Sequence, residues 1–238
     1  MVETTFGAIY HLTAMTTLGL ETAEAIGGAA VWGDGGLLAE MWLERPLEHA
    51  EGLVPLIERL LASCDVQRGD LRRISVNRGP GSFTGLRIGL ATAKGLCGAL
   101  EVPLIGIDGP AAYRSRVVGE GRVCVVVPDR RDRYYVQRFS ATRPLGPVRI
   151  LTASELEQLL ATVRAEEMVV GSGVPRLATA LRRAAERSGG RLRFADEAMT
   201  RPSAAAIARL GYEADARDDV YRLEPMYVEP LLARPATR

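Results

Sequence analysis

The sequence predicts an α/β protein of two lobes, each laid out as three strands, a helix, a strand and a helix. Three observations predict it. Strand-like and helix-like hydrophobic spacings follow one another in that order twice along the chain. Glycine and proline breakers fall between the segments. A length of 238 residues suits one large domain or two lobes of about 100–120 residues. With 47% hydrophobic and 25% charged residues, the chain has the composition of a globular protein with a core.

Taken in order, residues 18–21 and 26–32 read as strands, and Gly33-Asp34-Gly35-Gly36 turns the chain into a third at 37–43. A helix is expected over 46–62, where Leu53, Leu56, Ile57, Leu60 and Leu61 recur at helical spacing. Pro46 suits its first turn. A strand at 73–77 leads through a glycine-rich loop into a helix at 86–100, and 103–107 is the next strand. The second half gives strands at 122–127, 134–139 and 148–151, then a helix at 154–165. Ser154 with Glu157 resembles a capping box at its start. A strand at 168–171 and helices at 175–187 and 203–212 complete the series.

The duplication rests on element order, not on residue identity. Two such units make the two-lobed, ribonuclease-H-like architecture shared by actin, hexokinase and the heat-shock ATPases. The expected division is a first lobe over 15–108, a second over 109–213 and a tail over 214–238. Residues 1–14 carry Glu3 and no basic leader, so they read as an over-extended frame, with Met15 as the expected start.

Net charge is +1, from 30 basic and 29 acidic residues. That balance gives no overall pull toward nucleic acid or acidic lipid. Lys94 is the only lysine, which fits a coding bias toward arginine. Cys64, Cys97 and Cys124 stand far apart, so free thiols in a reducing cytoplasm are expected, not a disulfide frame or a zinc knuckle. No run approaches the ~18 apolar residues of a membrane span.

The most informative stretch runs from Arg78 to Leu96. Gly79 and Gly81 flank Pro80 and let a strand turn sharply into a helix; Ser82 or Thr84 can cap that helix. Gly89 and Gly95 then sit in the helix interior, where glycine costs about 1 kcal/mol relative to alanine. Gly85, Gly89, Ala93 and Cys97 recur every four residues, beside Leu86 and Leu90. Such a strip admits another helix at close range, from the same chain or from a partner. The loop matches neither the P-loop, whose Gly-Lys-Ser/Thr ending is missing, nor the dinucleotide fingerprint, whose last glycine is Thr84 here.

Residues 79–96 resemble the signature of the TsaB (YeaZ) family, GPGSFTGLRIGLATAKGL, throughout. Leu18-Gly19-Leu20-Glu21-Thr22 is similar to the family's opening strand, Ile-Asp-Thr-Ser, and Glu48-His49-Ala50-Glu51 to its His-Ser-Glu helix. Pro128-Asp129-Arg130-Arg131 with Tyr134-Tyr135 is similar to its Asp-Ala-Arg hairpin. Pro202-Ser203-Ala204 and Glu224-Pro225-Met226-Tyr227-Val228 resemble its closing motifs.

The resemblance implies the actin-like ATPase superfold and a subunit that pairs with a TsaD-like catalytic protein and recruits a TsaE-like ATPase. That complex places threonylcarbamoyl on the adenosine beside the anticodon of transfer RNA, which this chain would meet only through the complex. It implies a partner interface of Leu86, Gly89, Leu90, Ala93 and Cys97 on one helix, with His49 and Leu53 on the other; two copies could pair through the same surface. The glycine-rich loop is Gly79, Pro80, Gly81, Ser82, Thr84 and Gly85. No catalytic residue, metal ligand or intrinsic cofactor is implied, and ATP or ADP would enter only at the complex interface. Glu21 departs from the family aspartate, Ala23 from its serine and Glu229 from its arginine.

The catalytic relatives carry a His-Leu-Glu-Xaa-His metal motif where this chain reads Gly109-Pro110-Ala111-Ala112-Tyr113, and its only histidines are His11 and His49. Ser82 lacks the flanking glycines of a hydrolase elbow. Two other classes stay in view: a sugar-kinase-like or ATPase enzyme of the same superfold, and a stand-alone RNA-binding module. Apart from these, Arg176, Arg182, Arg183, Arg187, Arg191 and Arg193 form a basic stretch that reads first as a solvated helix face and second as a contact with the tRNA backbone within the complex.

Overall fold

The computed structural model describes residues 15–43, 49–129 and 132–228, with His49 and Ala50 described by backbone alone. Residues 1–14, Pro46, Arg130, Arg131 and Glu229 lie outside that range. The first sheet takes β1 (Thr17–Glu21), β2 (Gly27–Gly33), β3 (Gly36–Leu43), β4 (Arg73–Gly79) and β5 (Leu104–Asp108) in the order β3-β2-β1-β4-β5. β1 and β2 pair antiparallel, as do β2 and β3, while β4 and β5 run parallel to β1. Every residue of β1 is buried, as a central strand covered on both faces requires.

Helices α1 (His49–Ser63) and α2 (Phe83–Leu100) cover one face. Leu53, Leu56 and Leu60 of α1 and Leu90 and Ala93 of α2 meet Leu18, Leu20, Ile74 and Val76 in one core. The next helix, α3 (Gly109–Ser115), starts with a proline in its first turn and leads into the second lobe; its seven residues are too few to show a helical period in the sequence.

The second sheet combines β6 (Arg122–Pro128), β7 (Arg133–Ser140), β8 (Arg143–Pro144), β10 (Glu167–Val170) and β11 (Leu192–Phe194) in the order β11-β10-β6-β7-β8, with β9 (Arg149–Thr152) also paired to β7. Helices α4 (Ala153–Ala161) and α5 (Ala178–Arg187) pack through Leu156, Leu160 and Leu181 on Cys124, Val126, Val136 and Val169. Tyr113 of α3 packs on the opposite face, against Val123, Val125, Val127 and Phe139.

The last helix, α6 (Ala204–Glu213), corrects the expected division of the chain. Placed in the second lobe by sequence position, it packs instead on the free face of the first sheet. A Cβ on Gly19 would collide with the backbone of Ala204 and Ala208, and one on Gly211 with Ser75. These glycines are needed because helix and sheet approach backbone to backbone. Both ends of α6 are tied to the same lobe. Glu40 of β3 accepts from the Ala205 amide at 2.9 Å. Arg73 of β4 donates to the carbonyls of Gly211, Tyr212 and Ala214 at 3.1, 3.1 and 2.6 Å, groups that a helix end leaves unpaired. The tail follows the same lobe: Leu223 joins its core and the Met226 amide donates to the Arg78 carbonyl at 2.6 Å.

The start of α4 corrects another expectation. The cap is Thr152, not Ser154: its hydroxyl accepts from the Glu155 amide at 3.3 Å while Glu155 accepts from the Thr152 amide at 2.8 Å. Thr152→Ala should therefore cost about 1 kcal/mol in urea unfolding, whereas exposed Ser154→Ala should stay within about 0.5 kcal/mol. Equal losses would return the cap to Ser154.

Candidate functional site

The loop between β4 and α2 is built by contacts with the loop that follows β1. Gly79 adopts φ +117 and donates its amide to Asn77 Oδ1 at 2.8 Å. Ser82 caps α2, accepting from the Gly85 amide at 3.3 Å. The Ser82 amide donates to the Ala23 carbonyl at 2.7 Å, and Thr22 Oγ1 donates to the Gly85 carbonyl at 2.8 Å. A Cβ on Gly81 would enter the Ala23 carbonyl, so this glycine serves close approach rather than a left-handed turn. The amides of Gly79, Ser82 and Gly85 are thus all engaged within the chain.

The small-residue strip faces the same way, and this overturns its assignment to a partner. Gly85, Leu86, Gly89, Leu90, Ala93 and Cys97 are all buried on the inner side of α2, and Leu53 is buried beneath α1. A Cβ on Gly85 would strike the Thr22 carbonyl, and one on Gly89 the Thr22 hydroxyl, with Val76 at 3.4 Å. The helix approaches a strand end of its own lobe, so no partner can reach the strip. Of the expected interface residues only His49 is unplaced, its side chain lying outside the described range.

The outer side of α2 presents Thr84, Arg87, Ala91, Gly95, Gly98 and Ala99, all exposed. Beside it α1 exposes Val54, Pro55 and Glu58. At Gly95 and Gly98 a Cβ would meet nothing within 4 Å. Each costs the helix about 1 kcal/mol with no compensating contact among the described residues. Arg87, Ala91 and Lys94 also border a groove of about 360 Å³ whose other wall is the tail, at Leu223, Glu224, Pro225 and Tyr227. There the Arg87 guanidinium lies 3.8 Å over the Phe83 ring, which stands 5.6 Å from that of Tyr227.

A second cluster lies where the lobes meet, and its central residue, Glu24, is one that the sequence reading does not single out. Glu21 accepts from Asn77 Nδ2 at 2.6 Å and from the Ala23 amide at 2.8 Å. Burial, reinforced by neighbouring Glu24, pushes its carboxyl up to about 8. Glu24 accepts from Tyr113 Oη at 2.9 Å and from the Ser172 hydroxyl, and burial raises it too. In the β6–β7 hairpin of the second lobe Asp129 accepts from Arg133 at 2.9 Å and Tyr135 at 3.0 Å. Of these three acids, Glu24 bonds across to α3 and to the turn after β10, whereas Glu21 is held within the first lobe and Asp129 within its own hairpin. Among the described residues no group of three or more His, Cys, Asp or Glu could hold a metal, and no helix is long and apolar enough to cross a membrane.

Three of the six arginines of the basic stretch meet acidic side chains. Arg183 and Arg187 approach Glu157 at 4.0 and 3.4 Å, and Arg193 meets Glu166 at 2.8 Å. Of the three thiols, Cys97 and Cys124 are buried and Cys64 is half-buried. Burial pushes Cys97 up to about 12, which keeps it protonated and unreactive.

A family profile described as TsaD, tRNA N6-adenosine threonylcarbamoyltransferase, matches residues 45–146, the span that holds α1 and α2. The Escherichia coli tRNA threonylcarbamoyladenosine biosynthesis protein TsaB is 32% identical over 126 residues, 51% of this chain and 53% of the relative. Aligned in this way, the chain spans about half the length of the curated relatives it matches, or less. Among solved structures, YeaZ from Pseudomonas aeruginosa superposes with a TM-score of 0.70 at 22% identity, covering 90% of this chain and 100% of that one. A ROK hexokinase from Thermus thermophilus gives a TM-score of 0.51 at 13% identity, covering 83% and 97%. These likenesses place the fold in the actin-like ATPase class, with two ribonuclease-H-like lobes.

Proposed function

We propose that the chain is a member of the TsaB (YeaZ) family, to two of whose curated proteins it is 32% and 34% identical over 51% and 40% of its length, and on that premise that it is a non-catalytic scaffold in making threonylcarbamoyladenosine in transfer RNA. It binds a TsaD-like catalytic subunit through the outer surface of the α1–α2 layer, and the pair recruits a TsaE-like ATPase. Transfer RNA meets it through the assembled complex, and ATP or ADP binds, if anywhere, at the junction between subunits. The same layer is the surface on which two copies of the free chain pair.

One observation carries the reading. Gly95 and Gly98 hold the outer side of α2 flat, at a cost to the helix, although no described residue fills the space above them. A helix layer from another protein can use that flatness, because small side chains let backbones approach and gain dispersion contact. A stable interface of this kind buries about 1,200–2,000 Å², which both helices together can supply.

Gly95→Leu tests this directly. Leucine is the better helix former, so the isolated variant should be at least as stable as the parent. Its binding to the TsaD-like subunit, measured by calorimetry or pull-down, should weaken by at least about tenfold, a loss of 1.4 kcal/mol. Undiminished binding would remove the outer side of α2 from the interface.

A further inference from the structure

The contacts of Glu24 carry a conclusion independent of any partner. Its loop joins β1 to β2 in the first lobe, yet neither side-chain hydrogen bond of Glu24 stays there. Tyr113 belongs to the core of the second lobe and is 3% exposed. Ser172 sits in the turn that follows β10. Their hydroxyls reach the two carboxyl oxygens, Tyr113 at Oε1 and Ser172 at Oε2. We infer that Glu24 is a proton-dependent latch between the lobes, holding the cleft shut while protonated and releasing it on ionisation.

The groups facing Glu24 determine the direction. β1 presents the Glu21 carboxyl, α3 presents the Tyr113 phenol, and the turn after β10 presents the uncharged Ser172 hydroxyl. Neither Glu21 nor Glu24 has an ion-pair partner among the described residues. Among the described residues, a charge on Glu24 therefore has two hydroxyl donors and a second acid beside it, but no cation. Desolvating an unpaired carboxylate is costly, and opening the cleft to water removes that cost. The protonated form has no such penalty and can donate to Ser172 while accepting from Tyr113. Glu21 differs because its partners, Asn77 and the Ala23 amide, belong to its own lobe, so its ionisation does not break an inter-lobe bond.

Pulsed electron resonance distances between spin labels on the two lobes test the latch. Ala62→Cys on α1 and Arg182→Cys on α5 are exposed sites, placed in a Cys64→Ser background so that only they take the label. From pH 5 to 10 the full-length chain should pass from one short distance to a longer one. The ratio of open to closed should rise about tenfold per pH unit, as loss of one proton requires. Glu24→Gln cannot ionise and should keep the short distance throughout. Ser172→Ala, with one inter-lobe bond fewer, should open at lower pH, and Glu21→Gln should still open. A single distance at every pH in the parent chain overturns the proposal, as does an opening transition that survives in Glu24→Gln.

Discussion

Gly89→Leu unfolds the first lobe at denaturant concentrations the parent tolerates, with a stability loss of at least about 3 kcal/mol. Leucine gains roughly 0.8 kcal/mol of helix propensity over glycine. Against that stand two larger effects. The Thr22 hydroxyl and Val76 already occupy the place of the new Cβ, and overpacking a tight core costs about 1–3 kcal/mol even for small additions. Moving Thr22 also breaks its 2.8 Å bond to the Gly85 carbonyl, and a buried unsatisfied polar group costs about 1–3 kcal/mol more. Gly89→Ala should destabilise as well, although alanine is the best helix former; Gly95→Ala, in open space, should stabilise by up to about 1 kcal/mol. Urea titration of the three variants measures the contrast. Parent-like stability in Gly89→Leu would mean that the strip does not face Thr22.

Glu21 gives the second large effect, in the dependence of stability on pH. Unfolded, it releases its proton near the ordinary value of 4.5; folded, it keeps it to about 8. Between those values the folded chain binds more protons than the unfolded one, so this contribution is complete below 4.5 and is lost as pH rises through about 8. One pKa unit corresponds to about 1.4 kcal/mol, so the window is worth several kcal/mol at most. Glutamine cannot accept at both positions as the carboxyl does, so Glu21→Gln starts with a constant deficit, and the slope is the readout. Unfolding free energies at pH 5, 6, 7 and 8 should fall less steeply in the variant than in the parent, the remaining slope belonging to Glu24. Parallel curves would show that Glu21 is ionised in the fold throughout.

The fold was largely legible because its strands and helices are separated by strong breakers and each keeps one hydrophobic period. The expected strands at 18–21, 37–43 and 122–127 differ from β1, β3 and β6 by a residue at one end or the other. What escaped was short or non-local. Two-residue β8 and three-residue β11 have no period to detect. α6 looks like any amphipathic helix, and only the close approach at Gly19 and Gly211, far apart in sequence, shows which sheet it covers.

The site was legible as a pattern but not as a direction. Spacing by four says that something lies close to Gly85 and Gly89, without saying whether it is a partner or the chain itself. A signal was available: Leu86 and Leu90 share an arc of the helix with the strip, while Arg87 and Lys94 mark the opposite one, at about 100° per residue. The charged arc faces solvent, and Gly95 and Gly98 stand on it. Glu24 could not have been found this way, since its partners lie 89 and 148 residues away.

Helix α6 has a consequence for how the molecule is born. Of the described helices it is the last to leave the ribosome, yet it closes the lobe that was begun first. All strands and helices of the second lobe emerge before Ala204, so that lobe can mature while the earlier sheet still waits for its second cover. During synthesis the glycine-bearing side of that sheet stands bare, and the second lobe is in effect an insertion within an unfinished first one.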